Sequence, residues 1–332
     1  MLRWRTAGAV AALCALAACS SPAAGPPSPA GTSRAPASSR APARPAAQTT
    51  TDRPAARPAQ TAAPAPAPPP PRVTLTSVRT ADGALVTVAV FGGPVQYVLH
   101  NGSEDPGYAA GRVQAGPAVT GAERQRLLAV FNGGFKLSSG VGGYEQEGRV
   151  VSPLRRGLAS LVIDRSGQAW VGIWGESTPG PGTAVYSVRQ NLPPLVLYGR
   201  PTADAYDWGL WGATLGGGED VARSALGQDA AGDLMYAASM SASPADLAVA
   251  LARGGAQTAM ELDINPEWVQ LDVAARPGGP LRAAVPGQNR PSDQYLVGWA
   301  RDFVAVLGPA PAAPGPASGT APARAPGGRP LP

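Results

Sequence analysis

The sequence predicts an α+β domain: one unit of mixed and antiparallel β-structure, with hairpins early and a strand-helix-strand unit in its C-terminal half. Three observations lead there. Apolar and β-branched residues alternate in paired runs joined by Asp- and Gly-rich turns, the pattern of hairpins. One segment carries a full set of helix start and stop signals between two apolar runs. Proline is concentrated at the ends: residues 20–71 and 309–332 hold 23 of the 38 prolines. Residues 72–308 are left with the composition of an ordinary globule, long enough for one large domain.

Taken in order, the chain opens with Arg3 and Arg5 ahead of the apolar run Ala7 to Ala18. That run is too short to span a bilayer as a helix and has the form of a signal peptide, residues 1–18. It ends in Leu16-Ala17-Ala18-Cys19, which resembles the bacterial lipobox. The resemblance implies export and a lipidated Cys19 holding the protein to the outer face of the cell membrane. Cys14 leaves with the signal, so the mature chain has no second Cys for a disulfide or a thiolate metal site. Residues 19–71 are Ala, Pro, Ser, Thr and Arg without periodicity, a tether that cannot bury enough side chain to offset its entropy. Residues 309–332 form a disordered tail of the same kind.

Within the domain, Val73 to Thr80 and Ala84 to Phe91 flank Ala81-Asp82-Gly83 as a first hairpin. Thr120-Gly121-Ala122-Glu123 has the form of a capping box and predicts a helix to about Leu128, followed by a strand from Ala129 to Asn132. Leu158 to Asp164 and Gln168 to Trp174 form a second hairpin, and Leu234 to Ser239 another strand. Ser243-Pro244-Ala245-Asp246 starts a helix that Gly254-Gly255 stops. That helix joins the preceding strand to Gln257 to Ile264, and the two strands are expected as parallel neighbours.

Charge narrows the function. The chain's net +5 comes from its two ends, which carry +9; residues 73–308 carry 17 basic against 21 acidic residues, with one Lys, Lys136. Such a surface does not neutralise nucleic-acid phosphates. His100 is the one histidine and no Gly-x-Ser-x-Gly elbow occurs, so a serine triad and a zinc site both lack their parts. No metal site and no cofactor are predicted, although an oxygen-only Ca²⁺ site, which needs no such motif, stays open.

Chemistry concentrates in Met260-Glu261-Leu262-Asp263-Ile264-Asn265. Strand alternation places Glu261 and Asp263 on one face, where two carboxylates can divide into an acid and a base or nucleophile. A solvated strand end paired with Arg fits the same pattern. Phe131-Asn132-Gly133-Gly134-Phe135-Lys136 follows an apolar strand, and its glycines allow backbone N–H groups to approach an anion or sugar. A tight turn is the alternative. Glu145 is a spare carboxylate, and the polar run Arg189-Gln190-Asn191 could face the same cleft. Of the seven Trp, Trp208 and Trp211, in a Gly- and Asp-rich loop, are the candidates for stacking on a sugar.

Together these stretches resemble the phosphodiester glycosidases related to the lysosomal uncovering enzyme, N-acetylglucosamine-1-phosphodiester alpha-N-acetylglucosaminidase. The resemblance spans roughly Leu127 to Leu307. It rests on Ala129-Val130-Phe131-Asn132-Gly133-Gly134-Phe135, on Arg223-Ser224-Ala225-Leu226-Gly227, and on Glu261-Leu262-Asp263. The family's third segment is typically Asn-Leu-Asp-Gly-Gly; here Glu261 replaces Asn and Ile264-Asn265 the Gly pair. The resemblance implies hydrolysis of a sugar-1-phosphodiester in envelope or capsular glycans. Asp263 and Glu261 would be catalytic; Asn132, Gly133, Gly134, Lys136, Arg223 and Asn265 would bind substrate, Arg223 through its fork-shaped guanidinium. The competing expectation is a non-catalytic glycan-binding or envelope-organising lipoprotein.

Overall fold

The computed structural model describes residues 69–107, 113–213 and 216–309. The signal peptide, Cys19, the tether up to residue 68 and the tail from residue 310 lie outside the described residues. Pro69 to Pro71 pack against Gly93, where a Cβ would meet the Pro70 carbonyl at 3.0 Å and where φ is +85°. The strands follow as β1 (Arg72–Arg79), β2 (Leu85–Gly92) and β3 (Gln96–His100), then helix α1 (Gly121–Arg126) and β4 (Leu127–Asn132). Next come β5 (Tyr144–Gln146), β6 (Arg149–Ser152), β7 (Ala159–Asp164), β8 (Ala169–Ile173) and β9 (Val185–Gln190). After β10 (Val196–Leu197) and β11 (Arg200–Pro201) come the long strands β12 (Val221–Asp229) and β13 (Leu234–Ala242). The chain closes with α2 (Pro244–Arg253), β14 (Ala256–Glu261), β15 (Leu271–Ala274), β16 (Leu281–Ala283), α3 (Gln294–Val297) and β17 (Phe303–Leu307).

This is a β-rich fold, and the α+β expectation is corrected. The strands form a first sheet ordered β1-β2-β13-β12-β14-β10-β11, a second ordered β16-β15-β4-β17-β3, and a third ordered β6-β5-β9-β7-β8. Their ladders are antiparallel. The expected parallel pairing of β13 with β14 fails because β12 lies between them and pairs with both. Local signals placed α2 and its flanking strands, but they carry no information about a strand from earlier in the chain slipping between.

α2 begins and ends where its sequence dictates. The Ser243 hydroxyl accepts from the Asp246 N–H at 3.1 Å, and the Asp246 carboxylate accepts from the Ser243 N–H at 3.0 Å. Thr120, which carries the same pattern, makes no side-chain cap, and α1 ends after six residues.

The core is layered. α2 packs Leu247 and Leu251 against Val86, Val88, Ala225, Met235 and Ala237 on one face of the first sheet. The opposite face, with Phe91, Leu226, Tyr236 and Met260, meets Phe131, Leu271, Val304 and Val306 of the second sheet and Leu161, Ile163 and Val171 of the third. Alternate residues of the same strands, Val130, Phe303 and Ala305, face Tyr295 and Trp299 on the far side. β4 and β17 are therefore buried on both faces and read as continuous apolar runs. Phe131 is central: its ring lies 5.6 Å from Phe91 and 5.0 Å from Tyr236, centre to centre. Phe131→Ala should cost about 3–5 kcal/mol, measured as a lower urea midpoint with an unchanged slope.

Candidate functional site

The three sheets bring their ends together where β4 stops. Asn132, buried, uses its whole amide: Nδ2 donates to Ser224 Oγ and to Gly133 O, both at 2.9 Å. Its Oδ1 accepts from the Tyr236 hydroxyl at 2.7 Å and from the Gln270 N–H at 3.2 Å. All four hydrogen-bonding positions of the side chain are thus occupied. Asn132, expected to touch substrate, bolts the second sheet to β12 and β13 of the first.

The two glycines that follow admit protein groups. The Gly133 N–H donates to the Asp302 carbonyl at 2.9 Å, and a Cβ there would overlap the Asp302 carboxylate. At Gly134 a Cβ would lie 3.0 Å from the Arg189 guanidinium carbon. Arg189 and Asp302 form an ion pair of 2.7 Å, each 1% exposed. Arg189 also donates to the carbonyls of Gln190 and Phe135 and lies over the Tyr144 ring.

The neighbouring Arg301 donates through Nη2 to Asp263 Oδ2 at 3.0 Å and to Gly134 O at 2.9 Å. Its Nε lies 3.3 Å from Asp105 Oδ2, and its guanidinium sits 5.1 Å from the centre of the Trp268 ring. Asp263 Oδ1 accepts from the Ile264 N–H at 2.8 Å. Burial pushes the Asp263 carboxyl up to about 6; Arg301 and the Ile264 N–H pull it down, and Asp302 pushes it up. Burial and then the charge of Asp302 also raise Asp105, against Arg301.

Glu261 and Arg223 form a separate pair. Arg223 Nη1 donates to Glu261 Oε1 at 2.8 Å, and both side chains are wholly buried. The guanidinium also donates to the carbonyls of Trp211 and Glu219. Burial holds the Glu261 carboxyl above its ordinary range, Arg223 opposes this, and Asp263 adds to it. Asn191 Nδ2 donates to the carbonyls of Glu261 and Leu262. Glu261 Oε2, Arg223 Nε and Asn191 Oδ1 are buried without a hydrogen-bond partner among the described residues.

The predicted residues thus separate into three groups. Asn132, Gly133, Gly134, Arg223, Glu261 and Asp263 come together at the sheet ends. Lys136 and Asn265 stand at the rim. Lys136 is exposed, its Nζ 5.9 Å from the centre of the same Trp268 ring that Arg301 touches. Asn265 accepts from the Glu267 N–H at 3.0 Å through Oδ1, and its carbonyl accepts from the N–H groups of Trp268 and Val269, which seats that ring. Glu145 does not join the cluster: it alternates with buried Tyr144 and Gln146 along β5, so its side chain leaves by the other face.

Trp211, expected at a sugar contact, is 1% exposed in the core and donates to the Asp204 carbonyl. The ring that lies beside the cluster is that of Trp268, against Arg301 and Lys136. Sequence reasoning also missed Asp105, Arg301 and Asp302, which sit in no motif; Arg189 was at least flagged by its polar run. His100 is structural, stacked on Phe303 with Nδ1 2.8 Å from the Gly116 carbonyl. A cavity of about 500 Å³ bordered by Tyr97, Glu123, Glu147, Arg165 and Tyr186 shares no residue with the cluster.

No protein-family model matches the chain, and no curated protein does. Among solved structures, the chain is distantly similar to the catalytic domain of zebrafish N-acetylglucosamine-1-phosphodiester alpha-N-acetylglucosaminidase, auto-inhibited by its pro-peptide. The TM-score is 0.45 at 14% identity, covering 74% of this chain and 84% of that one. It is similar to the same degree to a hypothetical protein from Synechocystis, with a TM-score of 0.44 at 14% identity, covering 74% of this chain and 64% of that one.

Gly133→Ala should cost about 1–3 kcal/mol by driving a methyl group into the Asp302 carboxylate. Gly134→Ala, which meets the Arg189 guanidinium at 3.0 Å, should cost less. Chemical denaturation of the two variants side by side checks the order.

Proposed function

We propose that the chain hydrolyses a sugar-1-phosphodiester in envelope or capsular glycans, as an exported protein held to the membrane through lipidated Cys19. The observation that carries the reading is the setting of Asp263. It keeps 6% of its surface exposed, its two oxygens are fixed by Ile264 N–H and Arg301, and the half-buried ring of Trp268 lies against both Arg301 and the cation of Lys136. A carboxylate, two cations and an aromatic face are the groups that a phosphorylated sugar engages.

In this reading the sugar lies on Trp268, and its phosphodiester faces Arg301 and Lys136. As the bond between the anomeric carbon and the phosphate oxygen breaks, its electron pair leaves with the phosphate, now a monoester. Asp263 stabilises the positive charge developing on the sugar, and water completes the hydrolysis. A phosphate monoester is a weak base, with a second pKa near 6, so the departing oxygen needs little help from a proton donor. That fits the position of Glu261, which is sealed beneath the surface, paired with Arg223, and has its carboxyl raised by burial. The competing reading, a glycan-binding lipoprotein without turnover, draws on the complete burial of Glu261 and Arg223.

The full-length protein should release free sugar from an N-acetylglucosamine-1-phosphodiester, followed by NMR. Asp263→Asn should lower turnover by about 10²–10³ with folding retained. Retained glycan binding with no release from any sugar phosphodiester would favour the binding protein. Turnover should also fall as pH drops below about 6, the value to which burial raises Asp263, instead of near 4. Arg301→Gln removes the charge that lowers this value, so the acid limb should move to higher pH in that variant's pH–rate profile.

A further inference from the structure

β12 carries Arg223 of the candidate site near its start and Gln228 and Asp229 at its other end. A second cavity, of about 220 Å³, opens there, bordered by Tyr97, Gln168, Trp170, Gln228 and Asp233. That volume is about seven water molecules' share of liquid, the scale of a single pyranose ring.

The walls offer three kinds of contact. Trp170 is half-buried, so part of its ring is available. Tyr97 is 5% exposed, and its hydroxyl is buried beside the Leu234 N–H, so the ring serves as a wall of the cavity. Burial and the charge of Asp233 raise that phenol above its ordinary value, so it remains a donor. Asp233 is held by its backbone, its N–H donating to Asp229 Oδ1 at 2.9 Å and its carbonyl accepting from the Asp229 N–H at 3.1 Å. Burial and Asp229 raise its carboxyl, while Arg72 lowers it. Gln228 is committed as a wall, with Oε1 accepting from the Val171 N–H and Nε2 donating to the Ala169 and Gly232 carbonyls.

We propose that this cavity is an accessory binding site for one neutral sugar ring of a glycan, stacked on Trp170, walled by Tyr97 and hydrogen-bonded by Asp233. A sugar hydroxyl can donate to the Asp233 carboxylate while the ring packs on Trp170. Two carboxylates, Asp229 and Asp233, stand here against the single guanidinium of Arg72, so the site favours an uncharged part of the chain, unlike the cluster around Asp263. Two sites on one domain convert capture at the second into an intramolecular event.

The test is a saturation-transfer NMR titration of the full-length Asp263→Asn protein with methyl glucoside, methyl mannoside and N-acetylglucosamine. That background removes turnover, so the outcome is independent of the proposed reaction. At least one sugar should bind saturably. Adding Trp170→Ala or Asp233→Asn should weaken it at least tenfold without changing the melting temperature by more than a few degrees, and Trp170→Phe should restore part of the loss. No saturable binding by any of the three sugars would overturn the proposal. So would unchanged affinity in both variants, or tetramethylammonium displacing the sugar, which would mark an aromatic cation site instead.

Discussion

The Arg189–Asp302 ion pair organises the whole region. It joins β9 of the third sheet to the residue that precedes β17 of the second, across a gap from which water is excluded. Arg189 adds hydrogen bonds to the Gln190 and Phe135 carbonyls, which helps the buried pair recover its desolvation cost. The pair also dictates its neighbours. Asp302 can lie where it does because position 133 has no side chain, and the Arg189 guanidinium lies flat against the backbone because position 134 has none. Arg301, adjacent in sequence, is thereby aimed at Asp263 and Asp105.

Around that pair the charges are arranged in depth. Glu261 and Arg223 are sealed under the loop that contributes the Trp211 and Glu219 carbonyls, and Asp263 with Arg301 lies nearer the surface. Removing one member of either buried pair would leave an uncompensated charge, so these residues specify one another's positions. The consequence for chemistry is a carboxylate whose ionisation is set by its surroundings: burial and Asp302 raise it, and Arg301 restrains the rise.

Much of the local structure was legible in the sequence. Both hairpins and α2 follow from period-two alternation, turn residues and a capping box, each a short-range signal. Thr120 shows the limit, because its capping pattern is present and its bond is not. The pairing order was not legible, since β12 enters between β13 and β14 through long-range packing that no local pattern encodes. Asp263 and the glycine pair were found because they sit in recognisable segments. Arg301, Asp302, Asp105 and Trp268 were not, because they reach the site from separate loops and become neighbours only when the sheets close. The glycines themselves were misread in role: their missing side chains make room for Asp302 and Arg189, and Gly133 spends its N–H on the Asp302 carbonyl.

The point at which the chain joins the domain sets a direction. Pro69 to Pro71 lie against Gly93, and Arg72 pairs with Gly92 at one end of the first sheet. Arg223 and Glu261 lie toward the other end, along a strand whose nine residues span roughly 26 Å at about 3.3 Å each. The described chain therefore enters the first sheet at the end opposite the carboxylate cluster, so the entry and the candidate site are kept apart by the full length of a strand.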